Sequence, residues 1–350
     1  MRKVNLKLVG ILCFVFLLFA INAKAEKKIV KKFHEEYSAN ENTKLVVVNK
    51  YGDINIKNWE KNAVLIDATI TVETSKQKKA DEVFEKIRIT ISKEGDIISA
   101  ITEIKEKIRN ADFTIDYDIK IPAYLKLDIA NKFGDVFINE TSGETMLNIE
   151  YGNLKANKLL FENTKPMSEI KLSYSNGDIT KCTYSKIILK YSNLSITDSK
   201  TLIIVSRFTN IELENNNSVI VDSKYDEYDI GDCQNFVYVG KFSGIEINEV
   251  SKKVDVDMMY GNCEIDYVPQ DFESINITNK FGGIDIKIDE NASYKLDAEL
   301  NYCEIDYPSE DLVKEKIDGT KSQIHGYIGS DKNTKSTVSV KSKYGNVELD

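Results

Sequence analysis

Seven carboxylates recur at one place in a repeating pattern: Glu212, Asp229, Glu246, Glu264, Asp285, Glu304 and Glu348. Each is read as the residue after the first apolar position that follows an aromatic-Gly/Ser-Asp/Asn turn, as in Arg207-Phe208-Thr209-Asn210-Ile211-Glu212. Opposite them in the pattern, the residue before the turn aromatic is often basic: Lys50, Lys132, Lys190, Arg207, Lys224, Lys241, Lys280 and Lys343. Stacked in register, the two sets become an acidic stripe and a basic stripe. An acidic stripe could hold Ca²⁺ or a cationic polymer. The simpler reading is a solvated face that keeps the protein soluble and discourages lateral aggregation.

The other reactive residue types are sparse. Four cysteines lie beyond the N-terminal segment: Cys182, Cys233, Cys263 and Cys303. The alignment puts Cys263 and Cys303 in the same inward slot two coils apart, about 10 Å, and a disulfide needs less than about 7 Å. Cys182 and Cys233 count three coils apart, so all four are expected as buried free thiols. His34 and His325 are isolated, and no cysteine pair has metal-ligand spacing. No Gly-x-Ser-x-Gly or Cys/His arrangement suggests a nucleophile. Paired carboxylates could serve glycoside hydrolysis, but these acids repeat evenly instead of converging. The chain is expected not to be an enzyme and to need no cofactor.

Composition adds further bounds. Arg2, Lys3 and Lys7 precede an apolar run, Leu8 to Ile21, and Ala23-Lys24-Ala25 follows as a small-residue cleavage site. Residues 1–25 therefore read as a secretory signal peptide, too short in its apolar part to span a bilayer comfortably. Cys13 lacks the preceding small residue of a lipoprotein box. Removing the leader moves the formal charge from −9 to about −13. That balance argues against nucleic acid. No second long apolar segment occurs.

The elements that must position these residues are strands. The turn aromatic returns at 191, 208, 225, 242 and 260, a period of 17 to 18 residues, which is the mark of a solenoid. The first apolar slot is assigned to Ile54, Val136, Leu154, Ile179, Leu194, Ile211, Tyr228, Ile245, Cys263, Ile284, Cys303 and Val347. A second slot lies two residues on, so both point inward. Three residues before the first slot stands Tyr or Phe, with Asn176 and Leu300 as exceptions, and these rings are expected to stack at one corner. Strand patterns at Ile29 to Tyr37, Val64 to Val72 and 113–121, with a helix over Lys76 to Lys86, make 26–130 a β-rich cap. Trp59 is placed in a turn covering one end of the core. The domain reading is thus a leader (1–25), a cap carrying one short helix (26–130) and repeats (131–350). The fold is all-β, a parallel β-solenoid of about ten coils of 17–21 residues, roughly 50 Å long. The final coil, Lys343 to Asp350, is expected to end uncapped, an open edge that could pair end to end with another chain unless 308–335 folds over it.

These residues resemble a bacterial putative-adhesin family, envelope proteins built from repeated Gly-Asp-Ile-x-Ile coils. The resemblance rests on Asn49-Lys50-Tyr51-Gly52-Asp53-Ile54-Asn55-Ile56 followed by Trp59, and on Asp116 to Ile121 with Pro122 leading into Asn131-Lys132-Phe133-Gly134-Asp135-Val136. It covers roughly 45–350 and departs at the corner, where Tyr or Phe replaces the more usual Asn. It implies an exported, non-catalytic β-solenoid at the periplasm or cell surface of a Gram-negative bacterium. Its expected role is an adhesin-like interaction or structural surface for a cell-surface polymer or envelope protein. The alternatives are a periplasmic scaffold or sensor component and, less favoured, a polysaccharide-active β-helix enzyme.

Overall fold

A coil in the middle of the chain shows how the sequence builds the fold. In the strand Asn193–Arg207, Leu194 and Ile196 alternate with exposed or half-exposed residues, as do Leu202 and Ile204, and all four are buried. The pairing skips Thr197 and Lys200, and the strand bends there into two arms. Each arm keeps its period-2 alternation, so the arms face each other and enclose their aliphatic side chains. Burying a Val, Leu or Ile side chain contributes about 1.5–3 kcal/mol. The contribution recurs in coil after coil. Parallel pairing then stacks 176–190, 193–207, 210–224, 227–241 and 244–259, with one register shift, between Cys233 and Asn235, where 244–259 carries an extra residue.

The computed structural model describes residues 27–308 and 313–350, so the leader reading at 1–25 lies outside the described residues. All strands join one sheet system, and the fold is the expected parallel β-solenoid. The sheet continues through the 130/131 boundary, because strand Lys44–Lys50 pairs with Lys126–Lys132 and Ile54–Asn58 with Val136–Thr141. The helix, α1 (Gln77–Lys86), buries Ala80 and Val83, with Ile87 buried just past its end. Trp59 sits in the turn after Ile54–Asn58 and donates its indole N–H to the Ala63 carbonyl at 2.7 Å.

Both ends differ from the middle in one respect: spatial order departs from chain order. Strand Ile97–Ile104 pairs with Lys44–Lys50, and Phe113–Ile121 with Ile54–Asn58. Coil 97–121 therefore lies outside coil 44–58, which is sandwiched against coil 126–141. The other end repeats the device. Strand Thr337–Lys343 pairs on one side with Ser274–Lys280 and on the other with Tyr294–Asn301. Val347 likewise pairs with both Ile284 and Ile305.

The expectation of an open final coil is thereby corrected. The last coil in sequence is inserted between the two that precede it. The outer coil, 294–306, is covered on one arm by an antiparallel hairpin of Lys321–Ile328 and Lys314–Asp318. Its other arm ends in a two-residue strand, Ile305–Asp306. Short edges and antiparallel covers remove the long unpaired strand on which another chain could build.

Candidate functional site

The corner residue organises the surface. Tyr51, Phe133, Tyr151, Tyr174, Tyr191, Phe208, Tyr225, Phe242, Tyr260, Phe281, Tyr302 and Tyr344 all have positive φ, from 50° to 66°. All twelve of these corners are aromatic; Asn110, at φ 55° in the longer loop that joins the two arms of the outer coil 97–121, shares the backbone conformation without the ring. The two expected exceptions, Asn176 and Leu300, come from alignment errors. Pairing sets Gly177 opposite both Leu154 and Leu194, so Ile179 belongs to the second slot and Tyr174 is the corner. A Cβ on Gly177 would meet Leu172 and Leu194 methyl carbons at 2.7 and 2.9 Å, so the neighbours' leucines occupy the space a side chain would need. Similarly Ile305, not Cys303, aligns with Val347, and Tyr302 is the corner.

The rings form one continuous stack. Neighbouring centroids are 4.9 to 5.2 Å apart with interplanar angles of 1° to 20°. The stack runs Phe281–Tyr344–Tyr302, which records the inserted last coil. Ten of the rings are 39% to 57% exposed. Because each face rests on a neighbour, the outward side presents ring edges and phenol hydroxyls. A ring edge is the positive side of the aromatic quadrupole.

One flank of the ladder is basic. Lys50, Lys132, Lys224, Lys280 and Lys343 place their ammonium groups 4.8 to 5.4 Å from the ring that follows each in sequence. Lys132 also pairs with Glu150 at 2.7 Å, and that hydrogen bond holds the lysine pKa up. Arg207 pairs with Asp222 at 2.8 Å. Among the described residues, Lys190, Lys224, Lys241, Lys280 and Lys343 have no ion-pair partner on the chain.

The opposite flank carries the acids, with one exchange. Glu212, Asp229, Glu246, Glu264, Asp285 and Glu348 stand in register, and the next residue in that row is Asp306. Glu304 belongs one row nearer the ladder, where its N–H donates to Asn346 Oδ1 at 3.2 Å. The cause is the same two-residue slip that put Cys303 in the first slot. Among the described residues of this row Glu264 forms an ion pair, with Lys287 at 3.8 Å, and that lysine sits closer to Asp266, at 2.7 Å. Repulsion from Asp350 and Asp285, with desolvation, pushes the Glu348 carboxyl above its ordinary value. Between ladder and acids runs a groove of about 1100 Å³, lined by Phe242, Tyr260, Glu246, Glu264 and Asp285 among others.

The row between ladder and acids changes character along the rod. Toward the N-terminal end it is Asp135, Asn153, Asn176 and Asn193. Their side chains form a hydrogen-bonded ladder with 2.8 Å rungs. Beneath the ladder at Tyr225, Asp226 is 2% exposed and satisfied locally. It accepts from the Ser206 and Ser223 hydroxyls at 2.7 Å and from the Thr209 and Lys224 amides at 2.9 Å.

The thiols are free, as expected. Burial pushes Cys182, Cys233 and Cys263 up to about 12, which leaves them poor nucleophiles. Cys303 differs from the expectation of burial: it is half-buried, and its thiol donates to the Ser342 carbonyl at 3.3 Å. His34 and His325 each face one aspartate across a strand pair, Asp67 at 2.6 Å and Asp297 at 3.1 Å. Among the described residues no three His, Cys, Asp or Glu side chains are grouped to hold a metal ion. None of the described helices is long and apolar enough to cross a membrane.

The ladder was partly legible as a repeated aromatic. Its exposure and its left-handed backbone were not, because periodicity gives position and not φ.

No curated protein matches the chain. Three solved structures align over most of it. A "putative cell adhesion protein" from Clostridium sporogenes is 10% identical and covers 92% of this chain and 99% of its own, with a TM-score of 0.25. A "putative adhesin" from Bacteroides fragilis is 14% identical and covers 91% and 97%, with a TM-score of 0.32. A "putative adhesin" from Parabacteroides distasonis is 10% identical and covers 93% and 98%, with a TM-score of 0.33. Likeness at these scores carries nothing further by itself. The family model described as Toastrack DUF4097 matches residues 240–350, so the C-terminal third of the chain bears the family signature that the resemblance to adhesin-like coiled proteins anticipated.

Proposed function

We propose that this protein is an exported, non-catalytic, adhesin-like component of the cell envelope that makes contact through its aromatic ladder face. The observation that carries the reading is the aromatic at twelve positive-φ coil corners in one continuous stack. A non-glycine residue in this backbone conformation costs about 1–2 kcal/mol, and Asn or Gly takes it more cheaply. Stacking contributes about 0.5–1.5 kcal/mol per ring pair, and an exposed cation–π contact about 0.5–1 kcal/mol. The two sides roughly cancel, so stability alone does not select Tyr and Phe at these corners. A half-exposed stripe of rings and phenols is what a contact surface needs. The acids support the non-catalytic part, since they lie one per coil instead of converging on a reacting centre. Export rests on the leader-like segment at 1–25.

The test is binding of the purified protein to isolated envelope polysaccharides and to whole cells, compared with Tyr151→Asn/Tyr174→Asn/Tyr191→Asn. Asparagine tolerates the corner backbone, so the variant keeps its fold. Loss of binding with an unchanged melting curve is the expected result. Equal binding by both proteins would sink the reading.

A further inference from the structure

We propose that the ladder face pairs with the same face of a second copy of this chain, the two rods lying parallel about a two-fold axis that runs along them. The proposal rests on the ladder being the contact surface and names its partner.

The argument starts from charges left without partners. One flank carries Lys190, Lys224 and Lys241, the other Glu212, Asp229 and Glu246. None of these six has an ion pair on its own chain among the described residues. Across the coils cornered by Phe208, Tyr225 and Phe242 both rows carry one charge per coil, Arg207, Lys224 and Lys241 on one side and Glu212, Asp229 and Glu246 on the other, in step with rings 4.9 Å apart. A complementary partner must therefore carry anions along one edge and cations along the other at the same spacing. An anionic polymer satisfies one row and is repelled by the other. A second copy satisfies both.

Symmetry fixes the orientation. A two-fold axis along the rods exchanges left and right flanks, so each basic row meets the partner's acidic row while ring edges meet ring edges. Such an interface is isologous, the commonest closed form. Antiparallel rods would set lysine against lysine and carboxylate against carboxylate, which is costly. The groove between ladder and acids, beside Phe242 and Tyr260, gives the partner's lysine stems a place to lie. A strip roughly 15 Å wide over the length of the stack buries on the order of 800 Å² per partner, the size of a stable interface.

The test is analytical ultracentrifugation of the purified protein over a range of concentration and salt. The expected result is a monomer–dimer equilibrium that weakens as salt rises. Two charge variants then separate the flanks. Lys190→Glu/Lys224→Glu/Lys241→Glu makes both flanks acidic, and Glu212→Lys/Asp229→Lys/Glu246→Lys makes both basic. Each alone should dimerise at least roughly tenfold more weakly, and an equimolar mixture should recover pairing as a heterodimer. Tyr174→Asn/Tyr191→Asn/Phe208→Asn should also abolish pairing with its circular dichroism melt retained. A monomer at every concentration, a mixture that stays monomeric, or a dimer indifferent to the ladder substitutions would each overturn the proposal. A monomeric protein whose envelope binding still depends on the ladder would end the self-pairing idea and leave the contact-surface reading standing. Ladder-dependent dimers with envelope binding indifferent to the substitutions would keep self-pairing and remove the envelope as what the ladder touches.

Discussion

The middle of the rod and its two ends solve the same problem differently. From 176 to 259, chain order and spatial order coincide, and each coil stacks on the one before it. At the ends they diverge, and the terminal coil in sequence is held between two others. A central coil buries both its edges simply by having neighbours. A terminal coil cannot, so the chain places an internal segment outside it and covers that segment with antiparallel strands. Regular stacking propagates structure, and interleaving closes it.

The contrast is broken most severely by deleting coils. Removing 193–209 should leave a folded, shorter rod, because 176–190 would then meet 210–224 in the register it already has with 193–207. Truncation before Thr337 should instead unfold the region from 294 onward, since that coil would lose the parallel neighbour it pairs with on both arms. Hydrogen exchange would show protection retained in the first protein and lost locally in the second.

A smaller effect probes the middle alone. Ile196→Ala empties a fully buried slot and should cost about 2–5 kcal/mol in denaturant unfolding. Beside it, Tyr191→Asn should change stability by about 1 kcal/mol or less, because lost stacking is offset by relief of the corner backbone.

The smallest effect lies in the acid row toward the C-terminal end. The Glu348 carboxyl titrates above its ordinary value in the folded state. Its repulsion therefore opposes folding at neutral pH and is relieved as pH falls through that raised value. Mild acidification, or Glu348→Gln at neutral pH, should raise the melting midpoint slightly. Further acidification should reverse the gain, because Asp289, held low by the Asn291 amide and the Tyr267 hydroxyl, loses its stabilising charge. A pH series of melting curves checks both signs.

The sequence reading succeeded where a residue type marks a unique geometric position. The aromatic corner is such a mark, and slots counted from it, as at Tyr191 and Phe208, fall where the pairing puts them. Errors arose where the count began from an apolar residue instead. Gly177 looks like a turn glycine yet fills an inward slot, and the repeated Cys-Glu-Ile-Asp-Tyr at 263 and 303 occupies two different registers. Interleaving was invisible for a deeper reason. Val338, Val340, Val347 and Leu349 form one more coil pattern, and such a pattern specifies an inward face without naming the coil above or below. Neighbour choice lies in the length and covering strands of the intervening segment, and there the repeat is silent.

Interleaved ends also set a schedule. A chain emerging N-terminus first can stack its central coils as they appear. Coil 294–306, however, has no parallel neighbour until 337–349 arrives between it and 274–288. The rod therefore carries a signal of its own completion: its far end closes only when the last coil has been delivered, and a chain cut short stays recognisably unfinished to any protease that meets it.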